Sequence, residues 1–142
     1  MVFPESLTGI GLSAFSGCRG IIGKIIFPEK IEKISDNTFS NTGIEELEIK
    51  EGVVSVGSGA FENCKNLRKV VIADSVTFLD SRAFQACESL REIALPISTR
   101  YSTSETGNSP TFTDVQVNKI IFTRGTGETF RPYYDFNSIT QS

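Results

Sequence analysis

Histidine and tryptophan are absent from this 142-residue sequence, methionine occurs once and cysteine three times. Without histidine, the commonest general base and the commonest metal ligand are both missing. Three cysteines are an odd number for a disulfide framework. No apolar run approaches the roughly 20 residues that span a bilayer, so membrane insertion is not expected. Neither charge sign dominates: 14 Lys and Arg are interspersed with 17 Asp and Glu, for a net charge of −3. A nucleic-acid partner calls for a strongly positive field, which this chain lacks. The opening Met1-Val2-Phe3-Pro4-Glu5 has no basic stretch leading into an apolar one, the layout of a secretion signal. Asn-x-Ser/Thr glycosylation acceptors are missing too.

Catalytic signatures are equally scarce. Gly125-Thr126-Gly127-Glu128 is too short to cradle a phosphate, and no Lys-Ser or Lys-Thr pair follows it. Gly11-Leu12-Ser13-Ala14-Phe15 lacks the second glycine of a nucleophile elbow. Asp and Glu are spread along the chain, and no two are marked as a pair with separated pKa values. The chain therefore reads as a non-enzyme, with no catalytic, cofactor-binding or metal-binding residues.

What is present is repetition, which decides the fold before anything else. Ala14-Phe15, Thr38-Phe39, Ala60-Phe61 and Ala83-Phe84 recur with phenylalanine spacings of 24, 22 and 23. Three residues after each phenylalanine comes Cys18, Thr42, Cys64 or Cys87. Three apolar positions follow: Ile22, Ile25 and Phe27; Ile44, Leu47 and Ile49; Leu67, Val70 and Ile72; Leu90, Ile93 and Leu95. A second apolar pair closes each unit: Ile31 and Ile34, Val53 and Val56, Val76 and Leu79. The opening Phe3-Pro4, Leu7 and Ile10 is such a half-unit, so the chain starts in mid-repeat, as at a truncation or domain boundary. A further copy stands at Thr111-Phe112, where Val115, Val117, Ile120 and Phe122 keep the offsets of Thr42, Ile44, Leu47 and Ile49 from Phe39. The stretch from Pro96 to Phe112 is five residues longer than that from Pro28 to Phe39, and the excess is polar. One domain over 1–142 is expected: repeats over 3–97, a polar loop over 98–110, a last repeat over 111–122, and an irregular cap and tail over 123–142.

A unit of about 23 residues cannot bury its own apolar side, so the units stack. The apolar segments with alternation are strands, which stack into a parallel sheet with rungs about 4.8 Å apart. The Ala-Phe turn is expected to be a single helical or 3₁₀ turn whose phenylalanine plugs the core. Burying one such ring contributes about 1.5–3 kcal/mol.

The pattern Ala-Phe-x-x-Cys-x-x-Leu-x-x-Ile-x-Ile-Pro-x-x-Val-x-x-Ile-Gly resembles the BspA-type (Treponema pallidum-type) leucine-rich repeat from Phe3 to about Phe122. The units from Ala60 to Leu67 and from Ala83 to Leu90 match it most closely. The resemblance implies an α/β solenoid. Its expected form is a right-handed leucine-rich-repeat superhelix of about five rungs, with a parallel sheet on one face and short helical or 3₁₀ turns on the other. It also implies a cell-surface or secreted protein of bacteria or protozoa that adheres to host matrix, cells or other microbes. The missing secretion signal, the long insertion and the irregular end depart from the pattern.

Cys18, Cys64 and Cys87 share a repeat position with Thr42 and Val115, a column that suits small inward side chains, so buried free thiols are expected. A Cys64–Cys87 bridge between adjacent rungs stays open by distance. On the outer side of the strands, Lys24, Glu46, Lys69, Glu92 and Lys119 form a column of alternating sign. Beside it run Ile26, Glu48, Val71, Ala94 and Ile121. The two columns either hold register and solubility, or together form a recognition surface for a protein partner. A second candidate surface comprises Arg100 and Tyr101 near the insertion, with Arg131 and Tyr133 in the cap; the alternative is that the loop is merely tolerated and that Tyr133, Tyr134 and Phe136 cover the last rung. The expected function is a non-catalytic protein-binding module of an adhesin-like protein, with a structural spacer as the alternative. It needs no cofactor, and it is a monomer or a weak dimer through the N-terminal half-rung.

Overall fold

Each repeat contributes two strands, one from each of its apolar segments. The computed structural model describes residues 1–102, 110–112, 115, 117, 119–123 and 129–130. The longer strands are β1 (Ile22–Phe27), β3 (Gly43–Ile49), β5 (Lys69–Ile72), β7 (Glu92–Pro96) and β9 (Lys119–Thr123). They pair in parallel in that order. The shorter strands β2 (Lys33–Ile34), β4 (Ser55–Val56), β6 (Phe78–Leu79) and β8 (Arg100–Tyr101) form a parallel sheet of their own. The result is a parallel-strand solenoid in which four turns of chain join the five parallel strands of the large sheet.

Two features of the expected architecture are corrected. A second, smaller parallel sheet, which carries the second residue of each closing pair (Ile34, Val56 and Leu79), stands beside the single sheet expected. And no helix, α or 3₁₀, occurs among the described residues. In the Ala-Phe turns, alternate N–H groups leave the turn and donate to the next rung. Phe15 donates to the Thr38 carbonyl at 2.9 Å, Phe39 to Ala60 at 2.8 Å, Phe61 to Ala83 at 2.8 Å and Phe84 to Thr111 at 3.0 Å. The N–H groups between them close tight turns within the rung, as from Ala60 to Gly57 and from Glu62 to Gly59. A helix would send all of these donors along its own axis, and the stack diverts half of them.

That alternation requires left-handed backbone at two positions per turn, four residues apart: Ser13 and Gly17, Asn37 and Asn41, Gly59 and Asn63, Arg82 and Ala86. Glycine and asparagine adopt this region most readily. Ala86, at φ 57°, carries a cost of roughly 1–2 kcal/mol. Ala86→Gly is therefore expected to stabilise the fold by about 0.5–1 kcal/mol after the added freedom of the unfolded chain is subtracted. Urea denaturation with an unchanged slope checks this, and a destabilised variant would refute it.

The core is a column of phenylalanines. Ring centroids lie 5.0 Å apart for Phe15–Phe39, 5.9 Å for Phe39–Phe61, 5.4 Å for Phe61–Phe84 and 5.5 Å for Phe84–Phe112, all near parallel. Phe112 thus resumes the frame after the insertion. At the other end, Val2 bridges Ile26 in parallel and the Phe3 ring lies 5.7 Å from that of Phe27, as the half-unit requires.

Three local expectations change. Ile22 is 62% exposed, and Ile21 packs inward in its place. Ile21 follows Phe15 by six residues, as Leu67 follows Phe61 and Leu90 follows Phe84. The polar segment assigned to a loop from residue 98 contains strand β8, with Thr99 and Ser102 buried on either side of it. Most of the remaining insertion lies outside the described residues. After β9, the segment read as an irregular cap includes β10 (Thr129–Phe130), which pairs antiparallel with β9.

Candidate functional site

Strand alternation sends Ile25, Leu47, Val70 and Ile93 into the core and leaves their neighbours on the outer face of the large sheet. The register there is the one the repeat spacing predicts. Lys24 pairs with Glu46, Glu46 with Lys69, Lys69 with Glu92 and Glu92 with Lys119. The adjoining column runs Ile26, Glu48, Val71, Ala94 and Ile121, one residue per strand. Val2 extends it by one more position through its bridge to Ile26. Ile26 is 39% exposed, whereas Val71, Ala94 and Ile121 are half-buried among their longer charged neighbours.

The ion pairs follow the register only in part. Glu92 lies between Lys69 and Lys119, at 4.0 and 3.6 Å. Lys24 instead reaches diagonally to Glu48 at 3.0 Å, and Glu46 is taken by Arg68 at 2.9 Å. Arg68 was missed as a site residue. Its signal is its place immediately before the Lys69 column, where Glu45 and Arg91 also stand. All these pairs are partly exposed, so each contributes between nothing and about 1 kcal/mol. Their larger effect is to fix the direction of the charged groups on the face.

The second candidate surface is not assembled as expected. Arg100 is exposed on β8, but Tyr101 packs against the core with its ring 6.1 Å from Phe112 in an edge-on contact. Tyr101 occupies the Leu79 position of the small sheet, and that register turns its ring inward. Arg131 and Tyr133 lie outside the described residues.

The three cysteines are free, and Cys18 is exposed rather than buried. The difference follows from the stack. The Cys64 thiol donates to the Phe39 carbonyl of the preceding rung at 3.2 Å, and the Cys87 thiol to Phe61 at 3.2 Å. Cys18, on the first turn, has no earlier turn to donate to among the described residues. Burial raises the pKa of Cys64, and raises that of Cys87 well above the usual thiol value. Both therefore stay protonated at neutral pH, poor nucleophiles and poor ligands. No cluster of acidic and cysteine side chains among the described residues is placed to hold a metal ion.

Stacked parallel strands, one phenylalanine per turn and outward columns in register define a leucine-rich-repeat solenoid. The chain belongs to the family described as BspA type leucine rich repeat region, which it matches in 6 copies over residues 1–113. It is similar to a leucine-rich cell surface protein from Faecalibacterium prausnitzii A2-165 of known structure, at 22% identity and a TM-score of 0.46. That likeness covers 84% of this chain and 35% of the other, so the chain spans about a third of that protein's length. No curated protein matches the sequence.

Proposed function

We propose that this chain is a non-catalytic protein-binding module of a cell-surface or secreted adhesin-like protein, and that it binds through the outer face of the large sheet. The observation that carries this reading is the pairing of two columns in strict register. One of them is charged and pinned by ion pairs; the other is largely apolar, with Ile26 exposed at its end. Such a surface offers a partner apolar area to desolvate and oriented charges to set specificity. The partner is a host-matrix, cell-surface or microbial protein. Lys24, Glu46, Lys69, Glu92 and Lys119 steer it, and Ile26, Glu48, Val71, Ala94 and Ile121 meet it.

Changing Ile26, Val71 and Ile121 together to lysine tests the proposal. Lysine at outward positions keeps its stem on the sheet and its charge in water, so the fold should persist. Binding of the labelled chain to a panel of extracellular-matrix proteins and cells is expected to weaken on the order of 100-fold. Saturable binding that survives in the folded triple variant would sink the sheet-face reading. Absence of binding by either protein would favour a spacer whose ion-pair ladder serves only register and solubility.

A further inference from the structure

Where the Ala-Phe turns lead into the large sheet, the stack is notched. Phe39 is followed by its next inward residue, Ile44, after five positions, where Phe15, Phe61 and Phe84 take six to reach Ile21, Leu67 and Leu90. The shortened connection draws Gly43 against the first rung: a Cβ there would lie 2.7 Å from the Arg19 carbonyl oxygen and 3.0 Å from that of Ile21. No side chain fits, and a groove of about 310 Å³ opens over the glycine. Arg19 and Lys65 stand at the same repeat position as Gly43, one rung before and one rung after it. At the rung spacing of a parallel sheet their backbones are roughly 10 Å apart. Asn41 and Asn63 share another column along the same groove, both held in left-handed backbone at φ 58°, and Asn66 completes the wall.

The chemistry of this lining is one-sided. Although the chain is net acidic, the groove contains two cations and no carboxylate. Among the described residues, Arg19, Asn41, Asn63 and Asn66 make no side-chain hydrogen bond or ion pair. Lys65 touches only Glu88, at 3.9 Å and largely in solvent. Left-handed backbone accounts for asparagine at 41 and 63 by itself. It does not account for the two cations flanking a glycine, or for Asn66. Carboxamides both donate and accept, which suits them to hydroxyl groups, and a cation on each side suits a carboxylate. The volume is at the lower end for a ligand pocket, room for a single ring.

We propose that this groove binds an acidic sugar residue of the uronic-acid type. Its carboxylate lies between Arg19 and Lys65, and its ring hydroxyls face Asn41, Asn63 and Asn66. The groove lies where the Ala-Phe turns lead into the large sheet, and its lining shares no residue with the sheet columns.

The side-chain amide signals of Asn41, Asn63 and Asn66 in ¹H–¹⁵N spectra report occupancy directly. Titration with glucuronate is expected to shift them saturably, with glucose and acetate each at least about tenfold weaker. Arg19→Gln with Lys65→Gln, both at exposed positions, should weaken glucuronate by about tenfold or more at an unchanged melting temperature. Acetate binding as well as glucuronate would reduce the site to a simple anion hole and overturn the proposal. Equal binding of glucose, unchanged binding by the double variant, or no saturable shift with glucuronate would each overturn it as well.

Discussion

Phe61→Ala is expected to lose about 3–5 kcal/mol of unfolding free energy, the range for removing a fully buried aromatic ring. Phe61 has no exposed surface and sits in mid-column. It stacks on Phe39 and Phe84 and meets Phe27 edge-on at 6.1 Å. Each aromatic contact adds roughly 0.5–1.5 kcal/mol to what burial alone supplies, and alanine removes all three at once. The position matters as much as the residue. A solenoid is stabilised by its rungs and by the interfaces between neighbours, so a void at Phe61 weakens two interfaces. Phe15→Ala, at the half-buried end of the column with one stacked neighbour, should lose about 1–2 kcal/mol by the same accounting. Since a domain this size holds roughly 5–15 kcal/mol in all, Phe61→Ala approaches the limit of folding and Phe15→Ala does not. Chemical denaturation of the two variants checks the contrast. Equal losses would mean that the column does not couple the rungs.

The register of the large sheet was legible because it depends only on spacing. A period of 22 to 24 residues places equivalent positions side by side on adjacent strands, and Lys24, Glu46, Lys69 and Glu92 pair as that spacing requires. The frame even survives the insertion, because Thr111-Phe112 repeats the offsets of Thr38-Phe39 and its ring returns to the column. The turns were not legible. A short segment with alanine and phenylalanine at its centre suits a helical turn on propensity, and only the neighbouring rung decides that every second N–H leaves it. Asn37, Asn41, Gly59 and Asn63 do carry a trace of the left-handed positions. Arg82 and Ala86, residues that disfavour that region, hide the same trace in the next unit.

The candidate face was legible in its positions but not in its pairings. Long side chains choose among direct and diagonal neighbours at nearly equal cost. Once Arg68 holds Glu46, Lys24 turns to Glu48. Ile22 shows the opposite limit. Counting back from the strand selects it, counting forward from Phe15 selects Ile21, and packing follows the second count because the turn is anchored by its phenylalanine. The small sheet went unread for a related reason: two-residue strands such as Lys33–Ile34 are too short for strand alternation to be visible, and parallel stacking alone makes them strands.

Gly52→Ala is expected to be as damaging as the loss of a core ring, at a surface turn where composition gives no warning. The chain has 12 glycines, and most of the described ones leave open space where a Cβ would go. Gly52 does not. Its φ of 107° is outside the range that L side chains tolerate, and a Cβ would fall directly onto the Glu29 carbonyl oxygen and 2.9 Å from its carbonyl carbon. These are backbone atoms of the preceding rung, held in a parallel stack, so no side chain is available to swing aside. The variant must either push two rungs apart or refold the turn, losing the hydrogen bond that the Gly52 N–H donates to Ser75 Oγ at 3.2 Å. Strain of this kind together with the lost contacts amounts to about 3 kcal/mol or more. Ser75→Ala is the informative companion, because Ser75 holds the equivalent turn position one rung on. It removes the same hydrogen bond and the one from Ser75 Oγ to the Val53 carbonyl at 2.8 Å while adding no Cβ. Its loss should be about 1 kcal/mol. Thermal or urea denaturation that ranks Gly52→Ala well below Ser75→Ala places the cost in the close approach of the rungs. Similar values for the two would place it in the hydrogen bonds instead, and the rungs would then have more slack at this turn than the geometry of Gly52 and Glu29 allows.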